Sequence, residues 1–285
     1  MYFYLCFFKL FFFSDIMKEM ISFLGPKGTF SHEAASILGD DLVPYCTIPA
    51  VMESIVSNQC VKGIVPIENS IEGPVGITLD SLAHEFDLNI VGEIIISINQ
   101  NLIVNPGSEI EDIKDIYSHQ QAISQCQSFI RENNFKPHYS VSTASAAKSI
   151  IGDKSKAAIG HSKSAELYDL EILESNIQDI DNNETRFIVL SNEDTNPTGN
   201  DKTSIIFSIY EDHPGSLYKI LGIFEKYNIN LTKIESRPSK QGLGKYLFFV
   251  DFYGHYKEEI IKKIIMDIDD NTYFFKVLGS YPEFK

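Results

Sequence analysis

The chain has 285 residues, with 24 basic against 39 acidic side chains and a formal charge of −15. That length suits two domains or a bilobed one, and 44% apolar with 22% charged residues is the composition of a globular protein with sizeable cores. An acidic balance without a basic run argues against nucleic acid as a partner, because such binding rests on neutralising phosphates; no run of 18 apolar residues is present to cross a membrane.

Residues 1–13, MYFYLCFFKLFFF, are nearly all aromatic or aliphatic. They are too few to span a bilayer, and neither a basic start nor a small-residue cleavage site marks them as a signal peptide. The expectation is that translation begins at Met17 or Met20, residues 1–19 being a mis-called start or an unstructured extension; a membrane-associating anchor is the other reading.

From residue 20 to 191 strand-like and helix-like runs alternate. Ile21–Leu24, Gly63–Ile67, Ile90–Ile98, Leu102–Val104, Asp115–Tyr117, Pro137–Val141, Ala157–Gly160 and Arg186–Leu190 read as strands. Helical spacing is found in 32–38, 75–86, 121–132, 144–151 and 162–168. The alternation implies parallel sheet with crossover helices. Residues 191–202, SNEDTNPTGNDK, hold no large apolar side chain and read as a linker. Beyond it, strand Thr203–Tyr210, a helix opened by Pro214, strands Asn230–Ser236 and Lys245–Phe252, a helix on Ile260, Ile261, Ile264, Ile265 and Ile268, and strand Tyr273–Leu278 give the order βαββαβ, a ferredoxin-like unit.

The four cysteines and seven histidines show no metal-ligand spacing, so no metal is implied, and scattered reduced thiols fit a cytoplasmic setting. Three segments are candidates for chemistry. GPKGTFSH at 25–32 is a glycine turn between strand and helix, able to offer N–H groups and the Thr29 and Ser31 hydroxyls to an anion, or merely to cap the helix through Ser31. Glu68, Asn69 and Ser70 cluster just past a buried strand, where ligands meet an open α/β sheet; turn chemistry explains them equally well. Thr185–Arg186–Phe187 opens the last strand before the linker, with an arginine suited to a carboxylate. In the C-terminal part, HPGSL at 213–217 puts N–H groups at a helix start, and Glu235 and Arg237 alternate along a strand ended by Pro238.

Taken in order, GPKGTFSHEAA, VPIENSIEGPVGITLDSL, SHQQAISQC at 118–126, AELYDLEIL at 165–173 and NETRFIVL at 183–190 closely resemble the prephenate dehydratase family. The tail, TSIIFSIYEDHPGSLYKIL through NLTKIESRP, resembles the ACT regulatory domain that commonly follows it. The resemblance implies an α/β fold: a bilobed, periplasmic-binding-protein-like catalytic domain over 20–191 and a ferredoxin-like ACT domain over 203–282. Lobe one would be 20–97 with 181–191, lobe two 98–180, and 192–202 the linker. It implies loss of CO2 and water from prephenate to give phenylpyruvate, without metal or coenzyme, in phenylalanine biosynthesis.

By resemblance Thr185 is the essential catalytic threonine. Glu68 is the candidate general acid, and Thr29, Ser31, Asn69, Ser70, Ser118, Gln121, Thr143, Arg186 and Phe187 bind substrate. L-phenylalanine as effector would meet Gly215, Ser216, Leu217, Asn230 and Leu231, flanked by Glu235, Ser236 and Arg237, in a homodimer or homotetramer built through the ACT domains. Gln120 stands where the family usually has proline, His161 where it has a small residue, and Ser216 and Tyr218 vary the usual effector loop. Two alternatives remain from sequence: a dehydratase acting on arogenate, and a non-catalytic amino-acid sensor.

Overall fold

The computed structural model describes residues 20–284 apart from 211 and 212; the expectations for 1–19 lie outside the described residues. The first sheet has the strand order β2-β1-β3-β11-β5, comprising β1 (Ile21–Leu24), β2 (Leu42–Tyr45), β3 (Lys62–Asn69), β5 (Asn89–Ser97) and β11 (Glu184–Ser191). A two-residue β4 (Gly73–Pro74) turns back onto Glu68 and Asn69 at the end of β3. β1 runs parallel to both β2 and β3, with α1 (Phe30–Ser36) and α2 (Ile48–Val56) as the connecting helices. Strand β2 and helix α2 are additions to the expected elements. Pro44 in β2 is tolerated because β2 is the sheet's edge. The Thr47 hydroxyl caps α2 through the Ala50 N–H, and Ile48, Val51, Met52 and Ile55 bury one face of the helix at i, i+3, i+4 and i+7.

The second sheet has the order β10-β6-β9-β7-β8, from β6 (Asn101–Val104), β7 (Asp115–Ser118), β8 (Lys136–Tyr139), β9 (Lys156–Gly160) and β10 (Glu171–Glu174). β7 is parallel to β8 and β9, as alternation implies, whereas β6 pairs antiparallel with β9 and β10 antiparallel with β6. Both faces of this sheet are covered. Leu102, Val104, Ile116, Ala157 and Ile159 pack with Ala122, Ile123 and Ile130 of α4 (Gln120–Ser124) and α5 (Gln127–Glu132). Ile103 and Ala158, one residue out of phase, pack with Ala146, Ala147 and Ala165 of α6 (Thr143–Ser149) and α7 (Ser162–Leu167).

The single helix expected over 121–132 is two, α4 and α5, broken at Gln125–Cys126. The cause is tertiary. The Asp179 carboxylate accepts the N–H groups of Gln127 at 2.9 Å and Ser128 at 3.0 Å, and so starts a new helix where local periodicity would continue the old one. Three contacts tie α7 to α1 and its loop: Ser164 Oγ donates to the Gly28 carbonyl at 2.7 Å, Lys163 Nζ to Ser36 Oγ at 2.6 Å, and His161 Nε2 lies 2.7 Å from Glu33. Gly28 sits at φ +88°, where a side chain would meet Ser164 within 3.1 Å, so glycine is required twice over.

Residues through Val75 with Ile95–Phe187 form one compact unit; Gly76–Ile94 with Ile188 onward form a second. In the second unit β12 (Asp201–Ser208), α8 (Ser216–Lys226), β13 (Leu231–Pro238), β14 (Tyr246–Tyr253), α9 (Glu259–Asp269) and β15 (Phe274–Pro282) build an antiparallel sheet of order β13-β14-β12-β15. Ile205, Phe207, Val250 and Phe252 on one face meet Ile220 and Phe224 of α8 and Ile261, Ile264 and Ile268 of α9. This is the expected βαββαβ unit. Its first strand begins at Asp201, so the last two residues of the expected linker belong to the sheet.

Residues 76–94, assigned from sequence to lobe one, pack instead with this second unit. Polar anchors explain it. Asp80 on α3 (Gly76–His84) receives Arg237 at 3.1 Å and Lys240 at 3.2 Å, and Lys276 Nζ donates to the Phe86 and Leu82 carbonyls beyond and within that helix. The Lys202 ammonium meets the buried Glu93 at 2.9 Å.

Candidate functional site

A cleft of about 700 Å³ opens within the first unit, between the first and second sheets. Seven separate stretches wall it. Leu24–Ser31 comes from the β1–α1 turn and Pro44–Cys46 from the end of β2; Asn69 and Thr185 stand at the ends of β3 and β11. Opposite them are Ile98 and Gln100 before β6, the start of α4 from His119 to Gln125, and Val141–Ser145 at the start of α6.

Asn69 is the organising residue. It is 7% exposed, and its Oδ1 accepts the backbone N–H groups of Ile71 and Glu72, both at 3.0 Å. Those two donors fix the amide's orientation, so Nδ2 faces the acceptors Asn183 Oδ1 at 2.7 Å and Thr185 Oγ1 at 3.0 Å, with the Glu184 carbonyl at 3.1 Å. The Thr185 oxygen is therefore an acceptor toward Asn69. Its own proton has no acceptor among the described residues and is available to the cleft. Ser70 secures the same corner from outside: its N–H donates to the Glu184 carbonyl at 2.8 Å, and its hydroxyl accepts the Glu184 N–H at 2.9 Å.

The β1–α1 turn is similarly held. The Thr29 hydroxyl donates to the Pro26 carbonyl at 3.0 Å and caps α1 through the His32 N–H, and the Gly25 N–H donates to the Tyr45 carbonyl at 2.8 Å. Gly28 donates to His32 Nδ1 at 3.1 Å. The Gly25 and Gly28 N–H groups are thus engaged within the protein, and Thr29, not Ser31, is the cap. Ser31, 8% exposed, lines the cleft with its hydroxyl unengaged among the described residues. Burial, then the positive charges of Lys163, Lys27 and His161, hold the His32 imidazole below its ordinary 6.5, which keeps it the neutral acceptor that Gly28 needs.

Of the residues expected from sequence, Thr29, Ser31, Asn69, Gln121, Thr143 and Thr185 line the cleft. Glu68, Ser70, Ser118, Arg186 and Phe187 do not. Glu68 and Arg186 each alternate with a cleft residue, Asn69 and Thr185, along their strands and so project from the opposite faces. Ser118 is fully buried with its hydroxyl on the Ile159 carbonyl at 2.6 Å, and Phe187 is a core residue at 2% exposure.

The cleft adds residues that sequence reasoning missed: Lys27, Tyr45, Cys46, Gln100, His119, Gln125 and, beside the expected Thr143, Val141, Ser142 and Ser145. Lys27, inside GPKGTFSH, and His119 and Gln125, inside SHQQAISQC, lay in segments that the sequence had marked, though not as site residues. His119 caps α4, its Nδ1 accepting the Gln121 N–H at 3.4 Å, so Gln120 in place of proline still opens a helix. His161 caps α7 in the same way through the Lys163 N–H at 3.0 Å, and its bond to Glu33 holds that carboxyl below the usual range against the opposing effect of burial. Among the lining side chains none is a carboxylate and one, Lys27, is a cation. No cluster of three metal-ligating side chains exists among the described residues, and no described helix is long and apolar enough to cross a membrane.

In the second unit Gly215 at φ +91° is the N-cap of α8, and Ser216 donates its N–H to the His213 carbonyl at 3.0 Å. Leu217 packs against the core of that unit. The Asn230 carbonyl accepts the Tyr253 N–H at 3.3 Å, and Leu231, Glu235, Ser236 and Arg237 lie on the edge strand β13. Arg237 is engaged with Asp80 through Nε at 3.3 Å and a terminal nitrogen at 3.1 Å, its guanidinium packed over Gly76.

Residues 21–195 match the family model for prephenate dehydratase and 203–268 that for the ACT domain. The bifunctional chorismate mutase/prephenate dehydratase of Aquifex aeolicus is 43% identical over 273 residues, covering 93% of this chain and 74% of that protein. The prephenate dehydratase of Methanocaldococcus jannaschii is 41% identical over 279 residues, 94% of this chain and 100% of that one. Among solved structures, the prephenate dehydratase of Arthrobacter aurescens in complex with L-Phe superposes with a TM-score of 0.84 at 34% identity, covering 93% and 90% of the two chains. GqqA, described as a novel type of quorum-quenching acylase, also reaches 0.84 at 28% identity, over 93% and 98%.

Proposed function

The chain belongs to the prephenate dehydratase family and carries its decarboxylating lyase domain followed by an ACT domain; from that premise we propose that the cleft converts prephenate to phenylpyruvate, with Thr185 as the donor to the departing hydroxyl. The observation that carries this is the Asn69–Thr185 hydrogen bond. An oxygen that accepts from Asn69 turns its own proton outward, toward a cleft lined by hydroxyls and amides.

The reaction asks little else of a protein. As the ring carboxylate leaves as CO2, its C–C electron pair enters the ring, the C4–O bond breaks, and aromaticity is gained. The oxygen that leaves as hydroxide needs a donor at that moment, and a preorganised donor at developing charge lowers the barrier most. Thr185 meets that need by position; Glu68, on the far face of its strand, does not. Ser31, Gln121 and Thr143 hold the substrate's polar edges, Thr29 and Asn69 fix the turns around them, and burial of the ring among Leu24, Phe30 and Ile98 keeps it rigid.

The wall also favours prephenate over arogenate. Arogenate carries an ammonium where prephenate has a keto group, and no carboxylate lines the cleft to receive it. An acyl-hydrolase reading, raised by the likeness to GqqA, lacks an activated nucleophile: among the described residues no hydroxyl or thiol of the cleft is hydrogen-bonded to a histidine. In the second unit the ACT domain would bind L-phenylalanine as feedback inhibitor, as the L-Phe complex of the Arthrobacter enzyme suggests, with copies joined through these domains as a homodimer or homotetramer. Inhibition then requires phenylalanine to bind the less active state more tightly. The test is steady-state turnover of prephenate and of arogenate, each with and without L-phenylalanine. The expected result is a kcat/KM for prephenate at least about tenfold above that for arogenate, falling as phenylalanine is added. Turnover of arogenate alone, or of neither, would overturn the reading.

A further inference from the structure

Lys27 is the one lysine, and no arginine, aspartate or glutamate joins it, in a wall otherwise made of hydroxyls, amides, the His119 imidazole, the Cys46 thiol, aromatic rings and aliphatics. Its neighbours are pinned on both sides. The Gly25 N–H is on the Tyr45 carbonyl, the Pro26 carbonyl on the Thr29 hydroxyl, and Gly28 is wedged against Ser164 with its carbonyl taken by that serine. The backbone at Lys27 is therefore fixed while its long side chain stays exposed at the cleft, with no acidic partner among the described residues. An unpaired ammonium on a rigid base, in a protein of formal charge −15, is placed where an anionic ligand has most to gain.

Resting on the proposed dehydratase reading, we propose that Lys27 docks a carboxylate of the substrate and is the residue that makes the cleft selective for a dianion. Prephenate brings two carboxylates and no cation. The backbone N–H groups of Gly25 and Gly28 are engaged inside the protein, so neither is offered to a ligand, and the full charge that the turn presents to the cleft is this side chain. An ammonium at this rim repels the ammonium of an amino-acid substrate as well as attracting the carboxylate, so one residue contributes to both sides of the discrimination. Made to the side-chain carboxylate, the one that is not lost as CO2, the contact is formed before the chemical step and kept through it, which places its effect in KM.

The test compares wild type with Lys27→Met, Lys27→Arg and Lys27→Glu, measuring kcat and KM for prephenate at low and at physiological ionic strength, and the ratio of kcat/KM for prephenate to that for arogenate. Lys27→Met is expected to raise the prephenate KM about tenfold with a much smaller change in kcat, as loss of one charge-assisted hydrogen bond implies. It should also flatten the fall of kcat/KM with salt. Lys27→Arg should restore both, and Lys27→Glu should lower the prephenate-to-arogenate ratio below that of Lys27→Met. A wild type that turns over prephenate while Lys27→Met matches it in KM and salt dependence overturns the role of Lys27 alone. A wild type inert toward prephenate overturns the dehydratase reading, and this inference with it.

Discussion

Asn69 does two jobs with one amide, and the jobs can be separated. Its oxygen holds the turn at Ile71 and Glu72, and its nitrogen sets the direction of the Thr185 proton. Asn69→Asp keeps the two accepting contacts and replaces the donor by an acceptor, which pulls the Thr185 hydroxyl back into the wall. The expected outcome is a folded protein whose kcat falls by at least about tenfold, with KM changed less. Near-normal melting temperature with lost turnover would be the signature, read by thermal unfolding beside steady-state kinetics. His32 makes a second prediction at this scale. Its pKa is depressed in the folded state, so the stabilising contact with Gly28 is present above the ordinary 6.5 and is lost as pH falls below it, through the folded value. The kcat/KM profile should carry an acid limb with its midpoint under 6.5, and His32→Asn, which keeps an acceptor for Gly28 without titrating there, should remove that limb. Asn69, Thr185, Thr29 and Ser31 were legible in the sequence because each stands in a compact motif at a strand or helix end. Tyr45, Cys46, Gln100 and the neighbours of Thr143 were not, because they converge from distant segments that no local pattern marks, and Lys27 and Gln125 lay inside marked motifs that did not show which of their side chains would face the cleft.

At the scale of elements, the break between α4 and α5 shows tertiary structure overriding periodicity. Asp179, more than fifty residues away in sequence, supplies the cap that begins α5, so a reading of 121–132 alone had no means of finding it. Asp179→Ala should destabilise the chain by about 1 kcal/mol, the ordinary worth of an N-cap, measured by chemical denaturation. The placement of α3 has the same kind of cause. Its acidic residue Asp80 and its C-terminal carbonyls are gripped by Arg237, Lys240 and Lys276, contacts invisible to any window that reads residues 76–94 in isolation. Burial alone would push the Asp80 carboxyl up, but the bonds from Lys240 and Arg237 outweigh it and leave the group below its ordinary 3.8. That stabilisation is present above 3.8 and is lost as pH falls through the folded value. Arg237→Ala should lower Tm by roughly 2–4 °C near neutrality, as loss of a pair worth about 1 kcal/mol implies, and the difference from wild type should shrink in acid. A difference independent of pH would mean that packing on Gly76, and not charge, is what Arg237 contributes.

For the whole molecule, two features of the fold bear on chemistry. The first unit brings strand ends and helix starts from two sheets to one cleft, as open α/β sheets do, so its wall is assembled from turns. The second repeats a smaller ferredoxin-like plan, and its alternating Ile205, Phe207, Val250 and Phe252 made that plan readable from the sequence alone. The wall's lack of carboxylates, in a chain with 39 acidic residues, is the whole-molecule property most relevant to substrate choice, and it emerges only once the seven stretches meet. The most direct test of the central claim, that a threonine oriented by Asn69 drives loss of the hydroxyl, is phenylpyruvate formation from prephenate by Thr185→Ala and Thr185→Ser beside wild type. The expected result is a kcat lower by about 10²–10³ for the alanine variant, with KM little changed and most activity kept by the serine variant. A folded alanine variant that works at the wild-type rate would contradict it.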